Sequence, residues 1–234
     1  MISCICVTTA RRRWCLPLAI RCFQRQTYPD RELLVVSDGP GTVADLIPDD
    51  PRIRHVHLPG ELRLGAKRNA ANALARGDYL ATWDDDDWHA PDRLAVLAGA
   101  LETTGARVAG STKMLFHDLR ADTTWLYSWG RPKPYLVGGS MCYAREEWER
   151  QPFLDRPRAE DTYFAWRLCE RVKVAVIEDV THIEDVTHYV AMVHGQHSGR
   201  TRWRPEPPRY APSAVAARAI MGADLDDYEA SVAG

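Results

Sequence analysis

Four consecutive aspartates, Asp84 to Asp87, close the apolar run DYLATW and are followed by WHAPDRL; no other stretch restricts the possible folds so tightly. Carboxylates this close repel one another, so a folded chain holds them only if water solvates them, some are protonated, or a cation neutralises them. A hard divalent ion is the simplest neutraliser. Oxygen ligands favour Mg²⁺ or Mn²⁺ over Zn²⁺, and such ions keep coordination positions that substrate phosphates fill. The plainer alternative is a solvated acidic turn capping a helix that starts near Pro91, since proline suits the first helical turn and acids suit a helix N-terminus. One pair of acids would be enough for a cap. The surplus points to a cation site at a strand end and to a phosphate-bearing substrate.

The surroundings of the cluster read as repeated βαβ units. Residues 2 to 9 are mostly apolar, as in a strand buried on both faces of a parallel sheet, and LPLAIRCFQRQ carries apolar residues at helical spacing. ELLVVSD and RIRHVHL predict two more strands, and AKRNAANALAR predicts a helix that stops at Gly77. YLATW is the strand that delivers the aspartates, PDRLAVLAGALETTG the helix after it, and RVAGSTKMLF a further strand. This alternation predicts an α/β fold with a mostly parallel open sheet flanked by helices. Ligands then bind at the carboxyl ends of the strands, where Asp38 and the aspartate cluster both fall.

The second half is less regular. Trp125, Tyr127, Trp129 and Tyr135 interleave with Pro132 and Pro134, which predicts a smaller β-rich segment or loop between Leu115 and Ser140. TYFAWRLCERV returns to helix and VAVIE to strand. Residues 177–182 and 183–188 are both IEDVTH, too short to define a repeat fold. The stretch RTRWRPEPPRYAP reads as an extended arm, and the last twenty residues as a short helix with a loose end.

At 234 residues the chain suits one domain with a substantial core. A net charge of −2 weighs against a protein that binds polyanions over its whole surface, although Arg11 to Arg13 and residues 200–209 are locally basic. No run of about 18 apolar residues occurs and no leader-like start, so neither a transmembrane segment nor secretion is expected, and a cytoplasmic location is. Cys4, Cys6, Cys15, Cys22, Cys142 and Cys169 form no C-x-x-C pair, and buried reduced thiols are expected rather than disulfides or zinc ligands.

Taken in order, CICVTTARRR, QTYPDRELLVVSDGPG, LGAKRNAANALARGDYLATWDDDD and AEDTYFAWRL closely resemble the family 2 glycosyltransferases of the GT-A fold, over residues 2 to about 170. The resemblance implies a single GT-A domain over residues 1–199, with a nucleotide-binding half to about 110 and an acceptor and catalytic-base half over 111–199. Residues 200–234 would form a C-terminal arm and short helix. The implied activity is a metal-dependent, inverting transfer of sugar from a nucleotide diphosphate donor, a UDP-sugar in the family's commonest form, to a hydroxyl acceptor.

Site residues follow position by position from the same resemblance. Thr8, Thr9 and Arg11 follow the first strand, Asp38 the second, and Lys67 and Arg68 lie in AKRN. Together they would cradle the nucleotide, Asp38 accepting the N3 hydrogen of uracil and Arg68 meeting base or diphosphate with its planar fork. TTARRR departs from the usual PTYNR, which leaves the first contact open; a solvated basic turn explains Arg11 to Arg13 equally well.

The D-x-D metal motif falls on Asp84, Asp85 and Asp86. Asp84 would face the ribose or a metal-bound water, and Asp86 would hold Mn²⁺ or Mg²⁺. Asp85 and Asp87 would cap the next helix or meet donor hydroxyls. Asp161, beside Glu160, is the implied catalytic base, though both acids also suit a helix N-terminus. Gly138, Gly139 and Ser140 suit close backbone approach to a sugar, or a bulge. A histidine near the C-terminal end, His194 first and His197 second, would complete the ion's ligands, and an imidazole among carboxylates is consistent with Mn²⁺.

Two rival classes compete. A nucleotidyltransferase joins a parallel sheet to acidic metal ligands but usually needs a glycine-rich phosphate loop, which CICVTTARRR lacks. A non-catalytic module binding sugar nucleotides or polyanions leaves Asp161 unexplained. The acceptor is open among lipid-linked sugars, polysaccharide ends, proteins, small molecules and hydroxylated nucleobases. Arg200, Arg202, Arg204 and Arg209, with Trp203 and Tyr210, would suit a nucleic acid.

Overall fold

The computed structural model describes residues 1–128, 135–156, 159–177, 188–194, 209–213 and 215–233. His182, His197, most of the IEDVTH repeat, Trp129, Arg200, Arg202, Trp203 and Arg204 lie outside them. Strands β1 (Ile2–Thr9), β2 (Arg31–Asp38), β3 (Ile53–His57) and β4 (Tyr79–Thr82) are parallel. Trp88–His89 is β5. With β6 (Val108–Gly110), β9 (Cys142–Ala144) and β10 (Val174–Val176), the first four build a seven-stranded sheet in the order β10-β6-β9-β4-β1-β2-β3, in which only β9 runs antiparallel to its neighbours. The expected mostly parallel sheet is what forms.

The sheet is buried on both faces, which explains why β1 and β2 are near-continuous apolar runs. One face, carrying Cys4, Cys6, Leu33, Val35 and Trp83, packs on α1 (Leu16–Gln24), α3 (Arg93–Thr104), α6 (Ala217–Met221) and α7 (Asp224–Ala233). The other, carrying Ile5, Val7, Leu34, Val36 and Leu80, packs on α2 (Leu64–Leu74) and α5 (Glu160–Arg171). A second sheet runs β12-β8-β7-β11-β5 and adds β7 (Lys113–Asp118), β8 (Thr123–Ser128), β11 (Tyr189–Val193) and β12 (Tyr210–Pro212). It supplies the smaller β-rich part expected after Leu115.

Three local expectations are corrected. RVAGSTKMLF is two strands in different sheets, because the backbone of Ser111 is diverted: its N–H donates to Ser140 Oγ (2.9 Å) and its carbonyl accepts from Val137 N–H (2.8 Å). Helix α2 ends at Leu74, before Gly77. Its last carbonyls are capped by Arg145, which donates to Asn72, Ala75 and Gly77 at 3.2, 2.6 and 2.8 Å. Gly77 is needed for another reason, since a Cβ there would stand 2.7 Å from Met1 O and Ser3 N. The C-terminal end is also firmly docked, with Leu225 and Tyr228 of α7 buried in the core.

All six cysteines are free and all but Cys169 buried, in line with the reduced thiols expected. No helix among the described residues is long and apolar enough to cross a membrane.

Candidate active site

The aspartates form the turn between β4 and β5, by which the chain passes from one sheet to the other. Trp83 anchors the turn: it is fully buried, donates Nε1–H to Ala19 O (3.1 Å), and stacks on His89 with ring centroids 3.8 Å apart. Arg93 supports it from below. This buried guanidinium donates to Thr82 O (3.0 Å) and Gly139 O (2.7 Å), meets His89 Nδ1, and lies against the rings of Trp83 and Tyr189. Burial, which disfavours its charge, lowers the pKa of Arg93.

Parallel register sets the neighbours of the turn. Ile5 pairs with Thr82, so three residues further Thr8 lies level with Asp85, and Thr8 Oγ1 donates to Asp85 Oδ2 at 2.6 Å. Arg12 closes the other side of Asp85, its Nε 2.8 Å from both carboxylate oxygens, and its Nη2 reaches Asp86 Oδ2 at 2.5 Å. The same Asp86 oxygen lies 2.9 Å from His194 Nε2, at the end of β11. Asp84 pairs with Arg68 Nη2 (2.9 Å) and accepts from Tyr189 OH (3.3 Å). Asp87 accepts from Tyr189 OH and from Met192 N–H (2.9 Å), extending the β5–β11 ladder through a side chain.

The repulsion foreseen among these carboxylates is thus met partly from within the chain. Burial opposes the charge on Arg12, but Asp85 and then Asp86 outweigh it and raise its pKa. Asp86 is likewise held below the usual carboxylate range, Arg12 and His194 overcoming its burial. Asp85 is raised, burial outweighing Arg12. Asp87 is pushed well up by burial and then by Asp86 and Asp84, which favours its neutral form. The internal counter-ion, Arg12, comes from the part of TTARRR that departs from the family pattern. Arg11 is exposed, and Arg13 turns away to Asp45.

The residues expected to cradle a nucleotide gather at the ends of β1 and β2, where Thr9 and Asp38 are register partners. Asp38 is buried, accepts Leu62 N–H at 2.8 Å and pairs with Lys67, whose Nζ also donates to Thr8 O at 3.2 Å. One turn of helix places Arg68 between two distant acids, with Nη2 on Asp84 and Nε 3.1 Å from Glu160. Burial raises the pKa of Glu160, Arg68 opposing and Asp161 adding.

Asp161 lies in the first turn of α5, after Ala159 in a left-handed conformation (φ 56°), and its Oδ1 accepts Thr162 N–H at 2.6 Å. Its carboxylate occupies the space beside Gly138, where an added Cβ would stand 2.6 Å from Asp161 Cβ and 2.8 Å from Cγ. A Cβ at Gly139 would lie 3.0 Å from Asp84 Oδ2 and from Tyr189 Cζ. In the structure it is the side chains of Asp161, Asp84 and Tyr189 that approach the backbone of these glycines. The pair lets both acids reach one stretch of backbone.

Asp86 and His194 are the residues that would hold a divalent cation. One is an ionised carboxylate, the other an imidazole buried against Trp14 with centroids 4.8 Å apart, and their donor atoms face each other across the sheet junction. A nitrogen and oxygen donor pair suits Mn²⁺. The charge of Arg12 on the same carboxylate competes with such an ion. Arg12, Tyr189 and Arg93 carry the site but were not among the residues singled out as its members. TTARRR gave a weak signal for Arg12; nothing in PDRL or HYVAMV marks Arg93 or Tyr189 before the chain is folded.

A mostly parallel sheet with an acidic turn at its carboxyl edge, packed beside a short second sheet, is the GT-A architecture. The chain belongs to glycosyl transferase family 2, whose sequence model matches residues 4–161. It is 39% identical over 83 residues to the succinoglycan biosynthesis protein ExoO of Rhizobium meliloti (strain 1021), covering 33% of this chain and 23% of that protein. The matched stretches span only 21–30% of the curated relatives' lengths. Among solved structures it is similar to S. aureus TarS 1–349 in complex with UDP-GlcNAc, with a TM-score of 0.65 and 16% identity, over 88% of this chain and 62% of that one. It is also similar to the mannosyltransferase PcManGT from Pyrobaculum calidifontis in complex with GDP-Man and Mn²⁺, with a TM-score of 0.59 and 17% identity, over 82% and 56%. At these identities the likeness is one of fold.

Proposed function

We propose that this domain is a metal-dependent, inverting glycosyltransferase that moves a sugar from a UDP-sugar to a hydroxyl acceptor. One observation carries the reading: Arg68 bridges Asp84 of the aspartate turn and Glu160 beside Asp161, uniting the leaving-group side and the base side of a displacement. Asp38, Lys67, Thr8 and Thr9 line the nucleotide side, with Asp38 suited to the uracil N3 hydrogen and Lys67 held beside it. Asp86 and His194 would hold Mn²⁺ or Mg²⁺, with Asp84 facing the ribose or water; the ion, when bound, supplies charge neutralisation for the departing diphosphate. Arg68 adds a fixed positive charge on the same side. Asp161 accepts the acceptor's proton as the hydroxyl attacks opposite the leaving group, so a single displacement inverts the anomeric centre.

Supporting the donor class, TarS and PcManGT were solved with UDP-GlcNAc and with GDP-Man and Mn²⁺. Membership of family 2 sets aside the nucleotidyltransferase reading. The acceptor is a hydroxyl compound, and a hydroxymethylated base in DNA is the specific candidate that the arginine-rich arm suggests; of its arginines only Arg209 lies among the described residues.

The test is UDP release from a panel of UDP-sugars, with Mn²⁺ and with EDTA, for wild type, Asp86→Ala and Asp161→Asn. Asp86→Ala should lose metal-dependent donor binding. Asp161→Asn should still bind donor and Mn²⁺ while turnover falls by a factor of roughly 10² to 10⁴. Full activity in EDTA would refute the metal's role, and normal turnover of Asp161→Asn the base assignment. No turnover by wild type with any donor or with hydroxymethylated DNA would favour a non-catalytic module.

A further inference from the structure

His117 is an anomaly outside the active site. It lies on β7, only 2% exposed, and its Nε2 is buried without a hydrogen-bond partner. Its other nitrogen is engaged, with Nδ1 3.1 Å from Thr124 Oγ1, and that hydroxyl is itself fixed by accepting Ala217 N–H at 3.1 Å. An orphaned ring nitrogen in the core is costly unless something binds there.

The orphaned atom faces two carboxylates from different parts of the fold. Asp122, in the turn between β7 and β8, brings Oδ1 to 3.9 Å of His117 Nε2, and Glu229 of α7 completes a set whose donor atoms all lie within 4.8 Å of one another. We propose that His117, Asp122 and Glu229 form a second cation site, taking a divalent transition-metal ion of the Zn²⁺ type, that clasps α7 to the β7–β8 hairpin.

The chemistry of the set supports this assignment. One imidazole and two carboxylates are ordinary Zn²⁺ ligands, and bonds of about 2.1 Å place neighbouring donors about 3.4 Å apart. The trio must therefore close by about an ångström. It can do so because the Asp122 side chain is 87% exposed and that of Glu229 40%, while His117 stays fixed. A bound cation selects the tautomer with hydrogen on Nδ1, donated to Thr124, as ligating histidines commonly require. Burial lowers the pKa of His117, which keeps the imidazole neutral and its lone pair available. Arg218 opposes the site, since it contacts both Glu229 oxygens at 3.3 Å and also pairs with Asp226.

The clasp would reach the aspartate turn by two routes. Met192, the register partner of His117 on β11, donates its N–H to Asp87 Oδ1, and Tyr228, next to Glu229, donates to Asp87 O at 2.9 Å. Its role is to position α7. It belongs to neither Asp86 nor His194.

The experiment titrates Zn²⁺ by calorimetry into the full chain freed of metal with EDTA, in a His194→Gln background that removes the histidine of the proposed active-site ion. Failure of one site is then separable from failure of the other. His194→Gln should bind one equivalent of Zn²⁺ with a rise in melting temperature, and Asp122→Asn with Glu229→Gln in that background should lose both. These two acids are exposed, so a folded variant is expected, and circular dichroism checks it. Arg218→Ala should tighten binding several-fold, and Mg²⁺ should bind at least tenfold more weakly than Zn²⁺. No Zn²⁺ equivalent in His194→Gln, or an equivalent that survives loss of both carboxylates, would overturn the proposal.

Discussion

Gly138→Ala tests the role of Asp161 without touching its carboxylate. The added methyl would stand 2.6 Å from Asp161 Cβ and 2.8 Å from Cγ, and closer still to Oδ2. Because Asp161's own Cβ is inside the overlap, a rotamer change cannot relieve it; the turn at Gly138–Ser140 or the start of α5 must give. Restoring an ordinary contact near 3.5 Å moves the two apart by about 0.9 Å. Overpacking of this kind costs about 1–3 kcal/mol, a fall of roughly 2–12 °C in melting temperature for a domain of this size. A misplacement of about 1 Å in a group that takes a proton costs on the order of 10²-fold in rate. The assay is UDP release at saturating donor, paired with donor affinity by calorimetry. Turnover should drop about 10²-fold, while donor affinity changes little because Asp38, Lys67 and Asp86 are left in place. Gly99→Ala in α3, whose added methyl has no neighbour within 4 Å apart from its own helix backbone, serves as the control. Turnover within threefold of wild type, in a variant whose melting temperature shows the strain, would refute the claim that Asp161 acts at this position.

Arg12→Ala should leave the buried Asp85 and the half-buried Asp86 without their shared counter-ion. The cost is about 3–5 kcal/mol, or roughly 10 °C of melting temperature in EDTA, and Mn²⁺ should restore more of it than it adds to wild type. A variant that melts like wild type in EDTA would show that Arg12 is not the internal cation. Glu32→Gln probes pH dependence away from the site. Burial tends to raise the pKa of Glu32, but Ser3, Arg76 N–H and Arg54 together bring it below its ordinary value. A depressed carboxylate stabilises the fold above its unfolded pKa and loses that contribution as pH falls through the lower native value. Urea unfolding should show the variant about 1–2 kcal/mol less stable at pH 7, with the gap closing below about pH 4. A gap that is constant with pH would contradict the linkage.

Much of the architecture was legible because its physical causes are local. A strand buried on both faces must be a continuous apolar run, as residues 2–9 and ELLVVSD are, and adjacent carboxylates at a strand end must be solvated, protonated or paired with a cation. Asp38, Arg68, the aspartate turn and Asp161 could be named in this way, from pattern and family order. What neutralises the aspartates could not. Arg12 reaches Asp85 from 73 residues away and Tyr189 reaches Asp87 from 102 away. Arg93, four residues from His89, joins Thr82 to Gly139 only because two strands and a turn converge on it.

The same distinction separates the elements read well from those misread. The start of α3 and its stop at Gly105, in a left-handed conformation (φ 64°), depend on residues within one turn of the helix. The end of α2 depends on Arg145, and the docking of α7 on Arg21, Arg25, Trp88 and Asp87, more than a hundred residues away in the chain. Local sequence fixes what a segment can become, because backbone sterics and side-chain periodicity act over a few residues. Charge pairing and close approach act through space, and so Gly138 beside Asp161, or His117 between Asp122 and Glu229, took on meaning only when the fold brought distant segments together.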